Sequence, residues 1–120
     1  YGFRTTRRLV ELVGPAHTRM LLLTGDRVNA AEAARMGLIN EAVPLAALDA
    51  RVMALAASIA GNAPLSVASM KFTGGEATRA ESEMDKAAIA ASIAACFDSA
   101  DYKEGRAAFR EKRRPVFTGR

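Results

Sequence analysis

Hydrophobic residues recur at helical spacing along most of the chain. Between residues 45 and 60 they fall at Leu48, Val52, Leu55, Ala56 and Ile59, on one face of an amphipathic helix. Similar patterns predict further helices over about 5–13, 15–23, 30–36, 64–73, 78–99 and 102–113. Glycine or proline marks most of the predicted ends, because glycine tolerates a left-handed terminal residue and proline interrupts a helix.

Three local signals refine this pattern. Asn29, followed three residues later by Glu32, predicts a capping box at a helix start. Asp101 is predicted to cap the last helix. Residues 38–43 form the one strand candidate, ended by Pro44. Because a lone strand leaves its backbone groups unpaired, its partner is expected outside these residues. We therefore expect the chain, which begins with Tyr1, to be a piece of a longer protein.

Composition favours a mostly helical chain. Half of the 120 residues are hydrophobic, many of them alanine, and aromatic residues make up only 6%. Alanine favours helices and allows them to pack closely. A folded chain of 12.7 kDa should expose roughly 6,000 Å².

Several classes are excluded by what the sequence lacks. No apolar run approaches the ~20 residues that cross a bilayer, so no membrane association is expected. One cysteine, Cys96, and one histidine, His17, exclude disulfide frameworks and metal sites built on several such residues. We also expect no secretory signal. These features predict a cytoplasmic protein with no metal site.

Positive charge is concentrated at the two ends of the chain. Of the net charge of +4, residues 103–120 alone contribute +5, from seven Lys or Arg against Glu104 and Glu111. Few aromatic residues lie among these cations, which disfavours a nucleic-acid binder. A smaller polyanion remains an alternative to simple solvation.

The residues show no complete catalytic set, but the last predicted helix carries a candidate binding face. His17 has no Ser, Cys or Asp at triad-like spacing, and no glycine-rich phosphate loop occurs. Arg106, Phe109 and Lys112 share one face of the last helix. An aromatic ring between cations can pack against a heterocycle and neutralise a phosphate. The alternative is that Phe109 is a core anchor and the cations are solvated.

Ordered motifs along the whole chain resemble the carboxyl-terminal half of the crotonase family, the enoyl-CoA hydratase/isomerase superfamily. The motifs are RLVELVGPA at 8–16, LLTGDRVNAAEA at 22–33 and GLINEAVP at 37–44. At the carboxyl end the matching positions are Phe97, Asp101, KEG at 103–105, AAF at 107–109, EKR at 111–113, Pro115, Phe117 and Gly119. The resemblance implies the last part of an α/β spiral of repeated ββα units over residues 1–44. It implies a helical trimerisation region over 45–120, in trimers or dimers of trimers.

The same resemblance implies acyl-CoA thioesters as substrates, with no covalently bound cofactor. Two backbone N–H groups would stabilise an enolate-like oxyanion, and both, like the hydratase glutamates, would lie upstream of residue 1. No catalytic residue is therefore expected in this chain, which alone is predicted to be inactive. Gly2 matches a position at the active-site edge. Phe109 and Lys112 match positions that approach the CoA nucleotide.

Departures from the family pattern leave the reaction open. Arg4 and Thr5 stand where the family often has glycine, and Arg7 where glutamine is frequent. Hydratase, isomerase and other crotonase reactions therefore all remain candidates. The alternative function is a non-catalytic helical module whose role is oligomerisation.

Overall fold

Six α-helices supply the regular structure in this computed structural model, which describes all residues from 1 to 120. The helices are α1 (Phe3–Thr24), α2 (Ala30–Arg35), α3 (Leu48–Ala60), α4 (Pro64–Glu76), α5 (Lys86–Asp98) and α6 (Ala100–Glu111). Short 3₁₀ turns over Leu45–Ala47 and Glu81–Glu83 lie before α3 and α5. The chain contains no β-strand, and the prediction of a mostly helical chain is confirmed.

The chain divides into two compact units, Tyr1–Leu48 and Asp49–Arg120. In the first unit, α1 bends at Gly14, whose φ of 76° and ψ of 166° are not helical. The next residue, Pro15, has no N–H to continue the ladder, so the predicted break between two helical segments is present. The Thr18 hydroxyl, which is buried, donates to the Gly14 carbonyl at 2.8 Å just after the bend.

The start of α2 matches the sequence pattern in part. The Asn29 side chain accepts a hydrogen bond from the Glu32 N–H at 2.9 Å, which confirms the predicted cap. The Glu32 carboxylate does not reach back to Asn29. It pairs instead with Arg35, one turn later, at 2.5 Å. A nearby cation thus competes successfully for the second half of the capping box.

The strand predicted over residues 38–43 is wrong. These residues follow Gly37, which has a φ of 81°. The N–H groups of Leu38 and Ile39 both donate to the Ala33 carbonyl, at 2.9 and 3.3 Å, and close the end of α2 in a left-handed turn. Because these groups are used in the cap and no second strand offers a partner, no ladder forms.

The second unit holds α3 to α6, and its α4 and α5 pack through small side chains. The hydroxyls of Ser69, which is 4% exposed, and Ser92 lie 3.1 Å apart between the two helices. The single helix predicted over 78–99 is wrong in its first part, because Glu76 organises a loop there. Its buried carboxylate accepts from the Asp85 N–H at 2.8 Å, and Asp85 in turn caps α5.

The surface area of the chain is larger than expected for its mass. It exposes 9398 Å², against the roughly 6,000 Å² expected, and the only buried hydrophobic residues are Val13, Ala33, Met36 and Ala108. Helix α3 has no buried residue at all. Its apolar side chains are thus left without a covering surface within this chain.

No single helix is both long and apolar enough to cross a bilayer. Only Leu45–Ala60 and Pro64–Glu76 taken together, with a bend of 107° between them, would reach the required length and composition.

Candidate functional site

The first turn of α6 is capped by Ser99, not by Asp101 as the sequence predicted. The Ser99 hydroxyl oxygen accepts a hydrogen bond from the Tyr102 N–H at 3.0 Å. Asp101 lies inside the first turn and its side chain is almost completely buried, at 2% exposed. Its carboxylate is therefore used for other contacts, which the periodicity of the helix does not indicate.

The last turn of α6 presents Phe109 to solvent. The helix ends at Lys112, which has a left-handed φ of 53°. The N–H of Arg113 then donates to the Ala108 carbonyl at 3.0 Å and closes the turn. Phe109 is 85% exposed, so it is not a core anchor within this chain.

A cavity of about 490 Å³ lies beside this turn. Its lining combines three aromatic residues, two arginines, one aspartate and three small residues: Ala63, Ser66, Asp101, Tyr102, Gly105, Arg106, Phe109, Arg110 and Phe117. Arg106 and Phe109, which were predicted to share a face, both line it. Lys112 lies just beyond it, at the end of the helix.

Arg106 is held over an aromatic ring. Its guanidinium carbon lies 5.8 Å from the centre of the Tyr102 ring, within cation–π range. Tyr102 in turn packs edge-on against Phe97, with ring centres 5.1 Å apart. Lys103 and Arg110 line a second cavity of about 370 Å³ with these three residues. None of the three cations forms an ion pair, which leaves their charge available to an anion.

Residues 114–120, here called the strap, fold back along α6 and are held by Asp101. One Asp101 carboxylate oxygen accepts from the Thr118 N–H at 2.7 Å and from its hydroxyl at 3.3 Å. The other accepts from the Gly119 N–H at 2.8 Å. The Asp101 N–H donates to the Arg120 carbonyl at 3.1 Å. These bonds satisfy a carboxylate that is otherwise costly to bury.

A second acid on the same helix fixes the start of the strap. Glu104 receives hydrogen bonds from both terminal nitrogens of Arg113, at 2.6 and 2.9 Å, and one from the Val116 N–H at 2.9 Å. The Arg113 guanidinium, followed by the Val116 N–H, lowers the pKa of Glu104 to about 2. The hydrogen bonds that Arg113 donates to Glu104 and, second in size, to Glu111 raise the pKa of Arg113.

Phe117 connects the strap to the cavity. A Cβ atom placed on Gly105 would lie 3.6 Å from the Phe117 ring, which shows how closely the ring covers this helical position. Further along, Gly119 has a φ of 78°, a conformation that suits glycine, and lies against Pro64. The strap thus supplies an aromatic wall next to Arg106 and Phe109.

Gly2 lies in the other unit, at the amino end of α1. Its carbonyl accepts from the N–H groups of Thr5 and Thr6, at 3.0 and 3.1 Å, so Gly2 caps α1, which begins at Phe3, two residues before the predicted start. A cavity of about 540 Å³ in this unit is lined by Thr5, Thr6 and Arg8 among others, but not by Gly2. The place of Gly2 at an active-site edge stays a prediction.

No three His, Cys, Asp or Glu side chains come together in a way that could hold a metal ion. The Nδ1 atom of His17 lies 3.1 Å from the Val13 carbonyl, one turn earlier in α1. The Sγ of Cys96 donates to the Ser92 carbonyl at 3.3 Å. These two residues therefore have local contacts within their own helices.

The residues that hold the strap are not apparent from the sequence pattern. Asp101 and Glu104 are three residues apart, as partners on one helix face must be, and Arg113 and Gly119 follow. The three-residue spacing of Asp101 and Glu104 does not indicate that their carboxylates bind residues beyond the end of the helix. The contact between Asp101 and residues 118 and 119 joins positions too distant for any local pattern.

Comparison with known sequences matches the whole chain, residues 1–120, to the family described as enoyl-CoA hydratase/isomerase. A crotonyl-CoA hydratase of Syntrophomonas wolfei is 37% identical over 116 residues, covering 97% of this chain and 45% of that protein. A carnitinyl-CoA dehydratase of Salmonella typhi is 35% identical, covering 94% of this chain and 45% of that protein. The chain thus spans about half the length of the curated relatives it matches.

Solved structures that resemble this chain belong to the same family and are likewise matched over less than half of their length. An enoyl-CoA hydratase/carnithine racemase from Magnetospirillum magneticum matches 100% of this chain and 44% of its own, with a TM-score of 0.82 and 34% identity. An enoyl-CoA hydratase from Bacillus anthracis matches 96% of this chain and 45% of its own, with a TM-score of 0.83 and 30% identity. The matched part is the carboxyl-terminal region of these crotonase folds. The chain therefore belongs to the enoyl-CoA hydratase/isomerase family.

Proposed function

We propose that this chain is the carboxyl-terminal part of an enzyme that processes acyl-CoA thioesters. Family membership over all 120 residues supports this proposal, as do relatives named for crotonyl-CoA hydration and carnitinyl-CoA dehydration. Both named reactions add water to, or remove it from, an acyl-CoA. A hydratase or dehydratase acting on a short acyl-CoA is therefore the activity proposed for the whole protein. Its location is proposed separately, from the sequence alone, to be the cytoplasm.

The catalytic groups of that enzyme are proposed to lie outside these residues. Adding water to an enoyl thioester needs donors for the developing oxyanion and an acid–base pair for water and the proton. In this chain His17 is engaged within α1, and the buried carboxylates of Asp101 and Glu76 hold the strap and a loop. The chain alone should therefore not hydrate crotonyl-CoA.

The part of the site proposed for this chain binds the nucleotide end of CoA. The observation that carries this proposal is the exposed Phe109 ring beside a cavity bordered by Arg106 and Arg110. An adenine ring can stack on the exposed aromatic ring, and guanidinium or ammonium groups pair with phosphates. Lys112, the left-handed residue that ends the same helix, is a further cation three positions after Phe109.

Calorimetric titration of coenzyme A into the protein tests this role. Phe109→Ala and Lys112→Ala should each weaken binding by about 5- to 20-fold, equivalent to the loss of about 1–2 kcal/mol of stacking or ion-pair energy. Met70→Ala and Lys71→Ala are matched controls, because both exposed residues lie on α4 and outside the cavity. Equal affinity in all four variants would contradict the proposed site.

A second proposed role is assembly into a homo-oligomer, in trimers or dimers of trimers. Its support is the unburied α3, where Val52, Met53 and Ile59 remain 53%, 68% and 48% exposed. Exposed apolar area of this kind is typical of a surface that binds another protein surface. If assembly were the only role, the chain would form oligomers in light scattering but would not bind coenzyme A. A monomer that melts cooperatively would contradict this role.

A further inference from the structure

Asp101 stands out among the acids of the chain because it is 2% exposed and has no cation as a partner. All hydrogen bonds to its carboxylate come from the strap, through the Thr118 N–H and hydroxyl and the Gly119 N–H. Two backbone amides, one on each oxygen, hold adjacent residues of the strap in one orientation. Asp101 is also one of the residues around the 490 Å³ cavity beside Phe109.

The residue that this clamp orients is Phe117. It immediately precedes Thr118, its ring covers Gly105, and it lines the cavity together with Arg106 and Phe109. Phe117 has no helix of its own to hold it, because the strap has no regular secondary structure. Its position therefore depends on the bonds at 118 and 119 and on those that Glu104 makes to Arg113 and Val116.

We infer that Asp101 is a positioning residue for ligand binding: it holds the strap so that Phe117 forms a wall of the cavity bordered by Arg106 and Phe109. The inference rests on the proposed function, in that the ligand is the nucleotide end of coenzyme A. Phe117 borders the cavity from the strap, and Arg106 and Phe109 border it from α6. Loss of the clamp lowers ligand affinity although no ligand contact has been removed.

Asp101→Asn tests the clamp with almost no change in volume. Asparagine keeps one accepting oxygen but presents an NH₂ group to one of the two strap amides, so that amide loses its acceptor. Amide hydrogen exchange at Thr118 and Gly119 should become about tenfold faster or more, as expected for the loss of a charge-assisted bond. Asp98→Asn, which removes the same charge from an exposed residue at the end of α5, should leave both rates unchanged.

Calorimetric titration with coenzyme A tests the link to binding. Asp101→Asn and Phe117→Ala should each raise the Kd about tenfold, and the double variant should bind no more weakly than Phe117→Ala alone. That lack of additivity is expected only if Asp101 acts through Phe117. Gly119→Ala provides a second way to release the strap without altering a buried charge, because its φ of 78° strains any L-residue.

Each outcome bears on one of the two proposals. If amide exchange at Thr118 is as slow in both Asp101→Asn and Gly119→Ala as in the wild type, the proposal that Asp101 holds the strap is contradicted. Fast exchange with an unchanged Kd, or additive losses in the double variant, overturns the positioning role while coenzyme A binding still supports the proposed function. A wild-type protein that does not bind coenzyme A overturns the proposed function and, with it, the role of Asp101 in binding.

Discussion

Arg113 and Glu104, nine positions apart in the sequence, form a two-pronged pair in which both terminal guanidinium nitrogens donate to the carboxylate at 2.6 and 2.9 Å. Arg113 lies just past the end of α6, where the chain turns back, and Glu104 lies two helical turns earlier. The pair therefore joins the start of the strap to the helix that carries Phe109. It also makes part of the folding free energy depend on pH.

Acid should weaken this link in a defined window. The pKa of Glu104 is lowered to about 2 in the folded chain, from an ordinary value of 4.5. A carboxyl group whose pKa is lower in the folded chain stabilises the fold at any pH above its pKa in the unfolded chain. This stabilisation is lost as the pH falls from about 4.5 towards 2. Thermal melting at a series of pH values should show this loss in wild type and a shallower one in Glu104→Gln. If the melting temperatures of wild type and Glu104→Gln fell in parallel with pH, Glu104 would not be the cause of the acid destabilisation.

Lys112 should show opposite effects on stability and on binding. As a non-glycine residue with a φ of 53°, it occupies a conformation that costs about 1 kcal/mol or more. Lys112→Gly should raise the free energy of unfolding by about 0.5–1 kcal/mol, after the larger chain entropy of glycine is subtracted, and should weaken coenzyme A binding.

Lys103→Gly is the matched control for that variant. Lys103 also lies on α6, but inside the helix, so glycine there should lower the free energy of unfolding by about 1 kcal/mol. Denaturant melts of the two variants should therefore move in opposite directions. A destabilised Lys112→Gly would mean that the left-handed residue is not strained.

Local pattern predicted much of the helical structure and part of the candidate site. Apolar spacing placed α3 and α6 to within a few residues, and Asn29 marked the start of α2, because all of these depend on neighbours within one or two turns. The same reasoning put Arg106 and Phe109 on one face, and both line the cavity.

Two of the failures, the cap of α6 and the start of α5, share one physical cause, which is competition from partners further along the chain. Asp101 has the side chain of a good cap, but residues 118 and 119 offer its carboxylate two amides. The helix expected from residue 78 starts only at Lys86, because the Glu76 carboxylate binds the Asp85 N–H nine residues away. Neither contact has the three- or four-residue spacing of neighbours on one helix face, so helical periodicity does not indicate it.

Ser99, as the observed cap of α6, gives a direct test of that correction. Ser99→Ala removes the acceptor of the Tyr102 N–H and should lower the free energy of unfolding by about 1 kcal/mol. Ser58→Ala, at an exposed position within α3, should change it by less than about 0.5 kcal/mol. Urea melts measure both. If Ser99→Ala proves as mild as Ser58→Ala, the cap contributes nothing to stability.

Two glycines should respond in opposite ways to the same added methyl group. Gly105 lies inside α6, and its new Cβ would meet the Phe117 ring at 3.6 Å, an ordinary packing distance. Gly105→Ala should therefore raise the free energy of unfolding by about 0.5–1 kcal/mol, because alanine favours the helix and gains contact with the strap. Gly14 has open space around it but a φ of 76°, so Gly14→Ala should destabilise by about 1 kcal/mol or more.

Comparing these two variants distinguishes two effects on stability: the space available for the new Cβ atom and the backbone conformation that it must tolerate. If space decided, Gly14→Ala would be the milder change, since nothing lies within 4 Å of its new Cβ. Urea melts should instead show Gly14→Ala as the damaging one. A destabilised Gly105→Ala would indicate that Phe117 cannot tolerate even an ordinary contact, and hence that the strap lies more tightly on α6 than the 3.6 Å distance implies.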